Sequence, residues 1–93
     1  MDVNDIKEQL QVTVISPEDT LFSGPALTVS SKNKSGNFDI LPEHANFVTF
    51  IENSPITILK PDHQKVTFQF SMGIIYASDN VVNVYTQPEM LKI

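Results

Sequence analysis

The sequence predicts an all-β fold, a two-sheet β-sandwich, with a closed barrel as the alternative geometry. Three observations carry that prediction. Apolar and polar residues alternate with period two in one segment after another, turn signals recur roughly every 8 to 12 residues, and no stretch shows convincing helical periodicity. A chain of 93 residues has room for one domain with a single modest core.

Residues 1–8 are polar, with Val3 and Ile6 as apolar members past Met1, and read as an N-terminal arm ahead of a domain spanning 9–86. Leu10, Val12 and Val14 alternate with Gln11, Thr13 and Ile15, the pattern of a half-buried strand, and Ser16-Pro17-Glu18-Asp19 closes it as a turn. Leu21 to Pro25 reads as a compact connector. Alternation resumes from Ala26 to Ser31 with Leu27 and Val29 inward, and Lys32 to Asn37 is a polar tip where Gly36 supplies the positive φ a hairpin needs. Phe38 and Ile40 form the inward set of the next strand, which Pro42 ends by withholding a ladder donor. Phe47 to Ile51 and Ile56 to Leu59 are two short strands separated by Glu52-Asn53-Ser54-Pro55, and Pro61 to Gln64 is a hairpin tip. Val66, Phe68 and Phe70 alternate with Thr67, Gln69 and Ser71 before Met72-Gly73 interrupts, as a bulge or a close backbone approach would. Ile74 to Ala77, the Ser78-Asp79-Asn80 turn and Val81 to Thr86 make a last hairpin, and residues 87–93 are a short tail. The count is about eight or nine short strands.

Composition narrows the function classes. With 41% hydrophobic and 18% charged residues the chain reads as globular, and no apolar run approaches the roughly 20 residues of a membrane span. Six lysines against eleven acidic residues give a formal charge of −5, and arginine is absent. That balance argues against nucleic acid and anionic lipid surfaces, and it removes bidentate phosphate recognition. No cysteine is present, so disulfides and a thiol nucleophile are excluded. His44 and His63 lack a second histidine or a close carboxylate at metal-ligand spacing, no phosphate-binding glycine loop occurs, and no Gly-x-Ser-x-Gly elbow appears. The expectation is a non-catalytic chain without metal, nucleotide site, cofactor or small-molecule substrate.

The most informative stretch runs from Ser35 to Phe50, a strand, a tight corner at Pro42-Glu43-His44-Ala45 and a second strand. On residue types alone the corner needs no function, because proline ends strands for backbone reasons and a lone loop histidine is usually a surface group. Gly36 followed by Phe38-Asp39-Ile40-Leu41-Pro42-Glu43-His44-Ala45, however, resembles the Gly-x-(apolar)-x-Ile-x-Pro-x-His-Ala signature of the epsilon subunit of F-type rotary ATP synthases. Two further segments are similar in order and spacing, Val14 to Gly24 and Ser71 to Ile75, so that the resemblance extends from Leu10 to Thr86.

That resemblance implies a sandwich of about ten short strands, a flattened barrel in the central rotor stalk. It implies docking on the gamma subunit and on the membrane c-ring, at the cytoplasmic face of the bacterial plasma membrane, without insertion into it. Ser16 and the corner Pro42, Glu43, His44 and Ala45 match gamma-facing positions, and the tip Ser35, Gly36 and Asn37 matches the c-ring-facing one. Asn37 stands where some members carry an acidic residue, and Met72-Gly73 replaces paired glycines. The family usually continues into two C-terminal helices that act as a regulatory arm. Here the sequence ends at Ile93, and a naturally short subunit and a shortened form of a longer one both remain open. Residues 87–93 extend to roughly 25 Å at most, too short for such an arm. Two rival readings exist. A free-standing sandwich that binds carbohydrate or peptide would want exposed aromatics, whereas tryptophan is absent and most phenylalanines fall on inward positions; a small metal enzyme lacks ligands.

Overall fold

A computed structural model describes residues 9–43 and 46–86, so the N-terminal arm, the tail from residue 87, His44 and Ala45 lie outside the described residues. Seven strands are present among them: β1 (Leu10–Ile15), β2 (Thr20–Ala26), β3 (Thr28–Asn33), β4 (Gly36–Ile40), β5 (Phe47–Leu59), β6 (Lys65–Ser78) and β7 (Val81–Thr86). They form one hydrogen-bonded sheet in the order β2-β1-β7-β6-β5-β3-β4, antiparallel except for the parallel pair β1 and β7. The sheet doubles over itself. Ile40 and Leu41, at the end of edge strand β4, lie beside Leu10, Ala77 and Val82 of the far half, and the inner face buries one cluster drawn from all seven strands. The all-β sandwich is thus present, with seven strands where about eight or nine were read from the alternation and about ten from the resemblance.

Two physical effects account for the difference in count. The segment read as a connector is strand β2, and its Pro25, opposite Gln11, is tolerated because β2 is an edge whose missing donor faces no neighbour. The breaks read at Glu52–Pro55 and at Met72-Gly73 do not reverse the chain. β5 and β6 pair continuously from Phe47↔Ala77 to Leu59↔Lys65, skipping only the level of Asn53 and Ser71, where Asn53 sits at φ 50°. At that level both strands exchange faces. In β5 the buried positions pass from Ile51 to Ser54, Ile56 and Ile58, and in β6 from Phe70 to Gly73, Ile75 and Ala77. One long hairpin therefore lines both halves of the core. Leu27, expected inward, occupies the bend between β2 and β3, where its N–H donates to the Leu59 carbonyl, and Ala26 takes the buried place instead.

Turn chemistry agrees with the sequence. Asp79 and Asn80, both at positive φ, make the two-residue turn joining β6 to β7, the type whose twist suits a hairpin. Gly36 has φ 120° at the β3–β4 tip, as expected. The close approach expected at Gly73 is also present, since a Cβ there would lie 3.3 Å from the Tyr85 carbonyl oxygen and 3.3 Å from Ile51 Cγ1. Backbone cannot step aside as a side chain can. Gly73→Ala is expected to cost about 1–3 kcal/mol by overpacking, and a urea midpoint equal to the parent's would show that the strands have room.

Candidate functional site

The corner that follows β4 is held by one asparagine. Glu43 takes a left-handed φ of 68°, and its N–H donates to Asn80 Oδ1 at 2.6 Å. The Asn80 carbonyl in turn accepts the Gln11 N–H at 2.8 Å. Asn80 thereby ties the corner, the β6–β7 turn and the start of β1 into one unit, and the Glu43 side chain stands exposed above it. Pro42 is half-buried.

The tip is held by a second asparagine. Asn33 Oδ1 accepts the Ser35 N–H at 2.8 Å, while its Nδ2 donates to Thr49 Oγ1 on β5 at 2.9 Å. Lys34, Ser35 and Asn37 remain exposed. Between the tip and the edge of β5 lies a groove of about 780 Å³, with Lys32, Lys34, Ser35, Phe50, Pro55 and Met72 among its lining residues. β3 pairs with β5 only at Thr57, Ile58 and Leu59, and beyond them hydroxyl groups satisfy the carbonyls of the β5 segment that lines the groove. Thr49 donates to Phe50, Ser54 to Glu52 and Ser31 to Pro55. An edge finished in this way resists pairing with another strand.

Ser16 is not beside the corner. It lies at the far end of β1, roughly 20 Å away along six residues of strand. Its hydroxyl is used within its own turn, accepting the Asp19 N–H at 3.1 Å and donating to the Asp19 carbonyl at 3.2 Å, and the residue is buried. The corner and the tip in turn occupy opposite ends of β4. His63 is exposed at the β5–β6 hairpin tip, at the other end of β5 from the corner.

Asn80 and Asn33 escaped the sequence reading, because their partners Glu43 and Thr49 are 37 and 16 residues away. The signal available was weak: an asparagine at each turn, where a local role is the default. Also missed was Phe50. It lies outside the core at 66% exposure, whereas Phe70 is buried and Phe22, Phe38, Phe47 and Phe68 pack against the core cluster.

Comparison with known proteins gives the following. The sequence model of the family described as "ATP synthase, Delta/Epsilon chain, beta-sandwich domain" matches residues 9–89. The ATP synthase epsilon chain of Nitratiruptor sp. is 27% identical over 73 residues, covering 78% of this chain and 57% of that one. An epsilon chain from Acinetobacter baumannii is 31% identical over 75 residues, covering 81% and 54%. The chain thus spans a little over half the length of these curated relatives. Among solved structures, a chain of the Euglena gracilis mitochondrial ATP synthase, in its OSCP/F1/c-ring portion, superposes with a TM-score of 0.79 at 17% identity, covering 85% of this chain and 51% of its own. A chain of the central stalk/c-ring of the Tetrahymena thermophila mitochondrial enzyme gives 0.69 at 13% identity, covering 84% and 63%. These likenesses show the fold.

Proposed function

The chain belongs to the ATP synthase delta/epsilon β-sandwich family, and on that premise we propose that it is a non-catalytic rotor subunit of an F-type ATP synthase. In this reading it docks on the gamma subunit and the c-ring and couples proton- or sodium-driven rotation to ATP synthesis. It works as a peripheral part of the complex, at the cytoplasmic face of a bacterial plasma membrane. The supporting observation is that the two candidate contact sites, corner and tip, cap opposite ends of the same strand β4 and are each tied to the body by an asparagine. A part that transmits torque needs two separated contacts on a stiff body, and a hydrogen-bonded sheet provides the stiffness. The corner Pro42, Glu43, His44 and Ala45, with Ser16, is assigned to gamma, and Ser35, Gly36 and Asn37 to the c-ring. Asn37 carries no charge, so the ring contact there is a hydrogen-bonded one.

The test is co-purification with the cognate gamma subunit. Contacts of this kind draw their affinity from a few central groups, so replacing Glu43 and His44 together by alanine is expected to weaken capture at least tenfold, while His63→Ala leaves it unchanged. Equal behaviour of the two variants would remove the corner from the interface.

A further inference from the structure

We propose that the groove between the β3–β4 tip and β5 is a binding site for a phosphate group carried on an apolar body. The groove arises from an irregularity of the fold. β3 pairs with β5 no further than Thr57, and β5 exchanges faces around Asn53, so the two strands part. Lys32, Lys34 and Ser35 then lie on one wall, and Phe50, Pro55 and Met72 on the other. The volume of about 780 Å³ falls within the range of small-molecule sites, roughly 300–1,000 Å³. Two hydrogen bonds join the walls, from Ser31 Oγ to the Pro55 carbonyl at 2.9 Å and from Asn33 Nδ2 to Thr49 Oγ1 at 2.9 Å. The groove is therefore formed before a ligand enters, and binding does not bear the entropy of ordering it.

The lining selects the chemistry. Two exposed lysines stand against a single acidic residue, Glu52, so a chain of formal charge −5 carries a local positive excess here. The chain-wide charge argues against an extended basic face for nucleic acid or lipid surfaces, but one bound molecule needs only this local excess. Lysine acts as a point charge that holds phosphate, without the planar fork by which arginine matches a carboxylate. The carbonyls of Phe50, Glu52 and Pro55 already accept hydroxyl hydrogens from Thr49, Ser54 and Ser31. A peptide strand or a hard cation, both of which need carbonyl oxygens, finds these engaged. Phe50 supplies the apolar half. It stands on the outer face of the sheet in one row with Ile74 and Tyr85, and this apolar outer face meets the groove at the Phe50 ring, which is 66% exposed. An aromatic or alkyl body laid on that ring removes apolar surface from water, and the flexible thioether of Met72 adapts to either shape. Charge on one wall and apolar surface on the other match a phosphoester with its head and body apart.

The site calls on no partner chain, so it stands or falls apart from the rotor reading. The experiment titrates the full chain with phenyl phosphate and with dihexanoyl phosphatidylglycerol by calorimetry, and follows backbone amides by NMR. Binding is expected, with shifts confined to residues 32–35 and 49–55. Tighter binding of the lipid assigns the ligand to a phospholipid headgroup and tighter binding of phenyl phosphate to a soluble phosphoester; either supports the site. Inorganic phosphate, which lacks the apolar body, and dihexanoyl phosphatidylcholine, which lacks the net charge, should each bind at least about tenfold more weakly. Lys32→Gln with Lys34→Gln is expected to cost at least about tenfold in affinity. Lys60→Gln with Lys65→Gln, the same loss of charge at the distant β5–β6 hairpin tip, should leave binding unchanged. Phe50→Ser should weaken both probes without altering inorganic phosphate, and thermal melts check that each variant folds as the parent does. Equal losses in the two lysine pairs would overturn the proposal, by reducing it to general charge attraction. Inorganic phosphate bound as tightly as phenyl phosphate would overturn it as well, leaving an adventitious ion only, and so would a parent that binds none of the probes.

Discussion

Replacing Phe70 with alanine is expected to cost about 3–5 kcal/mol, the range for emptying a buried aromatic site. Phe70 is 3% exposed and is the last inward residue of β6 before the strand exchanges faces. Its ring stacks on that of Phe68, with centroids 5.9 Å apart and planes 13° from parallel. It stands opposite Ser54, itself buried, so no large neighbour from β5 is placed to refill the space. A chain of this length holds roughly 5–14 kcal/mol in all. The change would therefore remove at least about a fifth of it. Phe68→Ala should cost less because Phe68 is only partly buried against the same cluster. Chemical denaturation of the two variants checks the order, and a loss below about 1 kcal/mol for Phe70→Ala would place the ring outside the core.

How far the sequence was legible depended on whether the deciding partner was local. The strand at Leu10, Val12 and Val14, the hairpin turn at Asp79 and Asn80, and the glycine at position 36 were all readable, because alternation and φ preference are settled within a few residues. β2 was read as a connector because Gly24 and Pro25 carry breaker chemistry, and only its place at the sheet edge makes that chemistry harmless. Asn53, between an acidic residue and Ser54-Pro55, has the composition of a reversing turn. That it instead continues a strand depends on β6 changing face at the same level some 18 residues later, a match no local pattern reports. The apolar outer face was hidden for a related reason. Phe47-Val48 and Ile74-Ile75 are apolar on both sides of the strand, so period two does not say which residue faces out. Of the candidate sites, the tip and corner were legible as loops, while the asparagines that hold them were not, and the resemblance alone suggested what they touch.

The face exchange yields the largest effect of all. If β5 kept one period through its length, counting back from Ile58 and Ile56 through Ser54 would put Glu52 inside and Ile51 outside. The structure has the reverse, with Ile51 1% exposed against Gly73 and Glu52 exposed opposite Met72. Ile51→Glu is therefore expected to cost more than about 4 kcal/mol, since it buries a carboxylate in the apolar core cluster. That is enough to leave a marginal domain largely unfolded at room temperature. Glu52→Ile, one residue along, should change stability by no more than about 0.5 kcal/mol, as surface substitutions do. Circular dichroism and urea titration of the pair decide the matter. Should Ile51→Glu fold normally while Glu52→Ile does not, the hairpin keeps a single inner face, and the row of Phe50, Ile74 and Tyr85 would turn inward with it.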